Sequence, residues 1–324
     1  MKHWGYWMKP YPPLLIQVKT EMLRKIGQLA TLIGLSALLM LGIVLIASSY
    51  PGVGSASTAG TGGLPLTAGD NSSIPPAVVE DAAEMAKTLF GDSQEEANNF
   101  VNQVLAIYTE AKDKDFVILF NSGGWGWNLL EDSQGWDSIF TGIKTKLNVM
   151  GYQALALDYQ RTRVSWRACL EEASEIANFY PSKARDLAGR VELLTRHIPE
   201  VKVILAGEST GTVIAEKAMT MLKDNPRVYT IQTGPPFWHK RVKLERALVL
   251  TSNGMLPDSF SDGDFISMVM ANVRDIFGLP QRANNSGNIL QYLRAPGHDY
   301  WWQYPNVYSE ITDFLNQNFD IAWR

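Results

Sequence analysis

Ser209 is the residue in this chain whose type and surroundings best suit nucleophilic chemistry. It lies in the pattern Gly-Glu-Ser-Thr-Gly at residues 207–211, and a G-x-S-x-G spacing is typical of a serine on a sharp turn between a strand and a helix. The serine in such a turn adopts a strained backbone, and the residues two positions away on either side pack too closely for side chains, which favours glycine. The pattern therefore predicts that Ser209 is a nucleophile.

The sequence around Ser209 also predicts the strand and the helix that this turn requires. Residues 201–206 form an apolar run rich in β-branched side chains, as in a buried strand. The segment after the turn carries apolar side chains along one face at helical spacing: Val213, Ile214, Ala218, Met221 and Leu222. A strand before the serine and a helix after it form the context that separates this pattern from a chance match.

His298 is the candidate base. A serine hydroxyl is a poor nucleophile at neutral pH unless a base accepts its proton, and histidine is the side chain best suited to that task. His298 lies in the loop Ala-Pro-Gly-His-Asp-Tyr at residues 295–300, between the last predicted strand and the closing helix. From that loop a base can reach Ser209. The other histidines lie in the basic N-terminal segment, at the end of a predicted helix and in a cationic run: His3, His197 and His239.

The carboxylate that orients this histidine is expected in the loop after the predicted strand at 247–251, because that strand lies between the other two in chain order. The loop offers three acids, Asp258, Asp262 and Asp264. Asp264 directly precedes an apolar helix, where an aspartate also serves as an N-cap. Asp258 is our first choice, and Asp262 and Asp264 stay open as alternatives.

A glycine-rich loop, Asn-Ser-Gly-Gly-Trp-Gly-Trp at residues 121–127, directly follows a predicted buried strand at 115–120. Glycines allow backbone N–H groups to face a ligand without a side chain in the way, as an oxyanion site requires. Plain turns have the same composition. The nucleophile predicted at Ser209 favours the oxyanion interpretation.

Buried strands alternate with helices from residue 115 to the end of the chain. The strands are predicted at 115–120, 152–159, 201–206, 228–232, 247–251 and 289–293. This alternation predicts an α/β fold with a mainly parallel sheet covered by helices on both faces. Each candidate loop follows a strand, and reactive sites of such sheets gather at the carboxyl ends of the strands.

The region from about residue 115 to the end resembles the α/β-hydrolase fold of serine esterases, lipases and their relatives. The resemblance is carried by Ser209 in its G-x-S-x-G pattern, an aspartate after it and then His298, which is the chain order of that family. The sequence after His298 is also similar to the family's final histidine loop and helix. The resemblance implies the same fold and a serine hydrolase activity.

The resemblance also implies where an oxyanion would be bound. One N–H would come from the residue after the nucleophile, Thr210, and the other from the early loop near Gly124 or Trp125, of which Gly124 is our first choice. The chain departs from the family at residues 121–124, where many members have a His-Gly pair and this sequence reads Asn-Ser-Gly-Gly.

The composition and net charge of the chain indicate which classes of partner to expect. The chain has 324 residues, 29 of them basic and 33 acidic, for a net charge of −4. It offers no basic stripe of the kind that nucleic acid requires, so we predict no nucleic-acid partner. Its apolar share of 46% suffices for a packed core. Cys169 is the single cysteine of the sequence, which excludes a disulfide within the chain.

Residues 26–48 form an uncharged apolar segment that is long enough to cross a bilayer as a helix. Basic residues precede it and the first charge after it is Asp70, so the positive-inside rule places the N-terminus in the cytoplasm. We predict a cytoplasmic basic segment at 1–25, a transmembrane anchor at 26–48, a flexible linker at 49–76 and an extracytoplasmic domain at 77–324. A cleaved signal peptide is the alternative, although its apolar core usually spans only about 7–15 residues.

Together these features predict a membrane-anchored serine hydrolase that acts on a small-molecule or lipid acyl substrate. The chemistry requires no metal or organic cofactor, and carboxylesters, lipids and thioesters share this machinery. The alternative is a catalytically silent binding module displayed outside the membrane. It is suggested by aromatic residues expected to be exposed near the site: Trp125, Trp127, Tyr300, Trp301 and Trp302.

Overall fold

The computed structural model of the chain describes residues 74–161, 172, 174–176, 178–280, 287–290 and 293–320. The helices of this part of the chain are α1 (Pro76–Phe90), α2 (Gln94–Ala111), α3 (Gln134–Val149), α4 (Pro181–His197), α5 (Thr210–Met221), α6 (Phe265–Ile276) and α7 (Pro305–Phe319). Its strands are β1 (Phe116–Asn121), β2 (Ala154–Asp158), β3 (Lys202–Glu208), β4 (Val228–Thr233), β5 (Ala247–Leu250), β6 (Asn288–Leu290) and β7 (Leu293–Arg294).

Strands β1 to β5 form one parallel sheet in the order β2-β1-β3-β4-β5. The strand that leads into Ser209, β3, is central, with β1 on one side and β4 on the other. At the carboxyl edge of the sheet, Asn121 of β1 is in register with Gly207, and Glu208 is in register with Thr233 of β4. Because all five strands point the same way, the loops that follow them open at this one edge.

The sheet is covered on both faces. Along β1, Val117 and Leu119 pack with α1, α2, α4 and α5, whereas Phe116, Ile118 and Phe120 pack with α3 and α7 on the opposite face. Such continuous burial is what a parallel strand between two helix layers requires. The predicted α/β class, with a mainly parallel sheet between helices, is confirmed.

The segment at 289–293, predicted as one strand, is instead two short strands. Asn288–Leu290 and Leu293–Arg294 pair antiparallel with each other in a two-stranded sheet apart from the main one. The apolar residues there are too few to form a long strand, and the segment folds back so that Asn288 faces Arg294. The loop that carries His298 therefore follows this pair of short strands.

The described part of the chain begins at Ile74, within the predicted linker. Helix α1 starts at Pro76, and Ile74 packs against the core. The segments predicted at 1–25 and 26–48, and most of the predicted linker, lie outside the described residues. Within the described part of the chain, no helix combines the length and the apolar character needed to cross a membrane.

Candidate active site

Ser209 occupies the turn between β3 and α5. Its backbone has φ 50° and ψ −120°, and a positive φ of this kind costs a non-glycine residue on the order of 1–3 kcal/mol. The neighbouring glycines leave no room for side chains. A Cβ on Gly207 would lie 2.8 Å from the Cα of Thr212, and a Cβ on Gly211 would overlap the carbonyl oxygen of Asn121.

The hydroxyl of Ser209 is buried and unpaired. The residue is 3% exposed, and no donor or acceptor among the described residues hydrogen-bonds its Oγ. Its backbone N–H donates to the carbonyl of Thr233 at 2.9 Å, which fixes its position. Because an unpaired buried hydroxyl costs free energy, its presence at a strained turn is typical of a functional group.

His298 and Asp258 form a buried pair, in which Nδ1 of His298 lies 2.9 Å from Oδ2 of Asp258. Asp258 is completely buried and His298 is 8% exposed. The carboxylate also accepts hydrogen bonds from the hydroxyls of Tyr300 at 2.7 Å and Ser261 at 2.9 Å, and from the N–H of Phe260 at 2.9 Å. These bonds fix the imidazole by its Nδ1 side and leave Nε2 on the side away from Asp258.

The surroundings keep Asp258 ionised. Burial by itself raises the pKa of this carboxyl, but the hydrogen bond and charge of His298, with the donors of Ser261 and Tyr300, outweigh burial and hold the pKa below its usual value. The resulting negative charge stabilises the imidazolium that forms when a base of this type accepts a proton.

The structure distinguishes the three aspartates that the sequence left open. Asp264 caps α6, since its carboxylate accepts from the N–H of Ser267 at 3.1 Å, as an N-cap does. Asp262 is exposed. Of the three, Asp258 is the one bonded to His298.

The other described histidines have partners elsewhere. His197 Nε2 lies 2.9 Å from Oδ2 of Asp81, and His239 Nε2 lies 2.8 Å from Oε1 of Glu216. His3 lies outside the described residues. His298 is thus the described histidine that pairs with an acid from the loop after β5.

His298 and Ser209 flank the end of β4. Thr233, the last residue of β4, accepts the N–H of Ser209, and a Cβ on the next residue, Gly234, would lie 2.6 Å from Cε1 of His298. The ring nitrogen nearest to that position is Nδ1, at 2.8 Å, so the Cε1–Nδ1 edge of the imidazole faces Gly234. Only a residue without a side chain fits at position 234.

The two predicted oxyanion residues lie together beside the serine. A Cβ on Gly123 would lie 3.0 Å from the Cβ of Ser209, and the hydroxyl of Thr210 donates to the carbonyl of Gly124 at 3.0 Å. Thr210 is the first residue of α5, so its N–H is among those left without a partner within the helix, at the positive end of the helix dipole. This arrangement suits an anion that develops next to Ser209.

Arg161 holds this loop in place, a role that the sequence did not indicate. Its guanidinium donates to the carbonyls of Ser122 and Gly124, to the hydroxyl of Thr210 at 3.1 Å and to Glu172 at 2.7 Å. The residue is 5% exposed. The one available signal was its place just after a parallel strand, which it shares with many loop residues.

Replacing Arg161 with lysine is expected to lower kcat by roughly 10- to 100-fold with little change in KM, since small misplacements at a reacting centre have costs of that order. Lysine keeps the charge that balances Glu172 but lacks the planar fork that spans two carbonyls and a hydroxyl at once. Steady-state kinetics on a p-nitrophenyl ester would measure both constants. A folded Arg161→Lys variant with an unchanged kcat would contradict this positioning role.

Glu208 is a second acid at the site that the sequence argument did not use. Its Oε2 accepts the N–H of Gly123 at 3.4 Å. Burial raises the pKa of Glu208, and the electrostatic interaction with the His298 ring and the Gly123 N–H offset part of that effect. A raised folded-state pKa means that ionised Glu208 lowers the stability of the fold above that pKa, and that this cost disappears as pH falls toward the ordinary value of 4.5.

Glu208→Gln is therefore expected to melt at a higher temperature than the parent chain at about pH 8, and to lose that advantage by about pH 4. Glutamine keeps an oxygen that can accept the Gly123 N–H but carries no charge to bury. Thermal denaturation at the two pH values would measure the difference. If Glu208→Gln raised the melting temperature equally at both pH values, burial of the charge would not be the cause of the gain.

The aromatic residues expected to be exposed around the site are not. Tyr300 is buried against Asp258, and the other four are partly buried: Trp125, Trp127, Trp301 and Trp302. The rings of Trp125 and Trp127 stack at 6.2 Å. Among the described residues, the exposed aromatic side chains are instead Phe179, Phe237, Trp238, Phe277 and Tyr308.

No protein-family model matches this chain, and no curated protein sequence matches it either. Among solved structures, it is similar to Trichoderma reesei cutinase in complex with a C11Y4 phosphonate inhibitor, with 14% sequence identity and a TM-score of 0.33. The match covers 60% of this chain and 82% of the cutinase chain. At this identity and TM-score the likeness supplies no argument about function. The parallel sheet with helices on both faces is consistent with the α/β-hydrolase fold that the sequence resembles.

Proposed function

We propose that the chain is a serine hydrolase that cleaves an ester-type bond, in a carboxylester, a lipid or a thioester, through an acyl-enzyme on Ser209. One observation carries the proposal: His298 is hydrogen-bonded to the buried carboxylate of Asp258, next to a serine whose buried hydroxyl is unpaired among the described residues. The hydroxyls of Ser122 and Ser259 are also buried and unpaired among the described residues, but Ser209 differs from them in its positive φ of 50°, a strain typical of functional sites.

In this proposal, Nε2 of His298 accepts the proton as Oγ of Ser209 attacks the carbonyl carbon of the substrate. The negative charge on the carbonyl oxygen is stabilised by the N–H of Thr210 and by the loop near Gly124. The imidazolium then returns the proton to the leaving alcohol or thiol. A water molecule, deprotonated by the same nitrogen, attacks the carbonyl carbon of the acyl-enzyme; the bond to Oγ of Ser209 then breaks, the imidazolium returns the proton to Oγ, and the acid is released.

Ester hydrolysis by the full chain, compared with a Ser209→Ala variant, tests this function.

The second candidate, a catalytically silent binding module, is favoured by one observation: Ser209 Oγ is bonded to no described residue, His298 included. Catalytic hydrogen bonds are often long or poorly aligned without substrate. The missing hydrogen bond to Ser209 Oγ is therefore weaker evidence against a hydrolase than the Asp258–His298 pair is evidence for one.

We also propose that residues 26–48 anchor the chain in a membrane, with residues 1–25 on the cytoplasmic side and the catalytic domain on the other. The support is an uncharged apolar segment of membrane-spanning length behind a basic flank. Carbonate washing at high pH, which strips peripheral proteins, is expected to leave the chain in the membrane pellet. Release of the intact chain into the supernatant would contradict the anchor.

A further inference from the structure

Helix α6 turns an apolar face toward solvent. The residues on this face are spaced by four, three and four positions: Ile266, Met270, Val273 and Phe277, which immediately follows the helix. Ile266 is 77% exposed and Phe277 is 72% exposed. The opposite face carries buried Asn272, whose side-chain amide bonds the backbone of Arg294 at 2.9 Å. That opposite face also carries the buried apolar residues Met268 and Ala271. Because a surface helix usually presents polar residues outward, the apolar side chains on the solvent side of α6 are unusual.

A loop after β4 extends this apolar face. Phe237 and Trp238 are both exposed, and the ring of Phe237 lies 4.8 Å from the ring of Phe265, the first residue of α6. Next in the chain, His239 bonds buried Glu216 at 2.8 Å. That bond fastens the loop to α5 and leaves the residues on either side of His239 directed to solvent.

The same loop carries positive charge. Lys240, Arg241 and Lys243 are exposed, as is the apolar side chain of Val242 between them, and residues 237–244 include no acid. We call the surface made by the exposed side chains of α6, Phe277 and residues 237–243 the α6–loop surface. It combines aliphatic side chains, aromatic rings, a cluster of basic groups and one acid, Asp275, which pairs with Arg294 at 3.3 Å.

The α6–loop surface lies beside the candidate active site. The ring of buried Phe260 is 5.2 Å from the ring of Trp238 and 4.8 Å from the ring of His298. A single aromatic side chain thus separates the exposed surface from the predicted general base.

We propose that the α6–loop surface docks on an anionic lipid surface. Aliphatic side chains of an amphipathic helix enter the boundary between headgroups and acyl chains, and tryptophan favours the same depth. The lysines and arginine beside Trp238 match anionic headgroups in charge. The sequence also predicts a membrane segment at 26–48 in the same chain, which makes a lipid surface its natural partner.

The test uses the full chain in vesicles with a fluorophore on Ile266→Cys, in a Cys169→Ser background so that the label has one target. Val149→Cys serves as the matched control, because Val149 is 79% exposed but ends α3, before β2, away from the carboxyl edge of the sheet. In phosphatidylcholine vesicles containing phosphatidylglycerol and a nitroxide-labelled lipid, we expect the label at 266 to lose roughly half of its fluorescence and the label at 149 to keep nearly all of it.

Charge is tested in the same assay. Removing phosphatidylglycerol, or reversing charge with Lys240→Glu, Arg241→Glu and Lys243→Glu together, is expected to restore most of the fluorescence at position 266. The proposal would be overturned by equal quenching of the labels at 266 and 149, or by no quenching of the label at 266. It would also be overturned if neither charge change altered the quenching at 266. Energy transfer between copies labelled at 266 in lipid-free detergent would also overturn it, because the occupant would then be a second copy of the chain.

The readout is lipid contact, so it does not depend on hydrolysis. A Ser209→Ala chain is expected to show the same quenching at position 266 as the parent chain. Failure of the proposed hydrolase activity and failure of lipid docking can therefore be told apart.

Discussion

Ser209→Ala is expected to lower kcat for p-nitrophenyl butyrate by about 10⁴- to 10⁶-fold, the range found when a serine nucleophile of this type is removed. The physical reason is that alanine leaves no oxygen to form the acyl-enzyme, although His298 and the oxyanion groups stay in place. Rates of p-nitrophenol release by equal amounts of folded parent and variant would measure the effect. Equal rates in the two would remove Ser209 from the mechanism.

The variant should fold as well as the parent chain. Ser209 Oγ is bonded to no described residue, so its removal breaks no hydrogen bond there, and alanine meets the same strain at φ 50° that serine does. Melting temperatures would confirm that lost activity is not lost structure. A fluorophosphonate probe, mapped by mass spectrometry, should label Ser209 in the parent. A folded parent chain that neither labels nor hydrolyses esters would favour the binding module.

The second large effect is expected at Asp258, where replacement by asparagine should lower kcat by about 10⁴-fold. Oδ2 of Asp258 accepts from three donors, His298, Ser261 and Tyr300. An amide group turned toward them would present donors to donors, so the ring would lose its orientation and the imidazolium its counter-charge. Some stability should also be lost, on the order of 1–3 kcal/mol. Kinetics and thermal melts of the same preparations would separate the two effects.

Asp262→Asn and Asp264→Asn are the matched controls for Asp258→Asn. Asp262 is exposed, and asparagine replaces aspartate well as the N-cap that Asp264 provides to α6. Both variants should keep kcat near the parent value. If Asp258→Asn keeps its activity while either control loses it, the acid assigned to His298 is the wrong one.

Several features of this molecule could be predicted from the sequence because their causes are local. The turn at Ser209 follows from two glycines that flank a serine, and the buried strands follow from short apolar runs. Their alternation with helices is enough to predict a parallel sheet, and a parallel sheet brings the loops after its strands to one edge. The same reasoning from the sequence predicts that the loop at 121–127 and the loop after β5 both lie beside the turn at Ser209.

Other features depend on contacts between residues far apart in the chain. The choice of Asp258 over Asp262 and Asp264 rests on a hydrogen bond to His298, 40 residues away, and all three aspartates lie in one loop. The strand predicted at 289–293 became two short strands because pairing within that segment replaced pairing with the sheet. Tyr300 proved to be buried because its hydroxyl reaches Asp258.

By itself, then, the sequence determined the class of fold, the strained serine and the edge of the sheet where a site would form. The tertiary structure alone decided which acid holds the imidazole, that Arg161 fixes the loop near Gly124, and that apolar side chains of α6 face solvent. The reason is that a periodic pattern shows which residues share a face but not which way the face points. Likewise, a polar residue in a loop acquires its partner only when distant segments pack together.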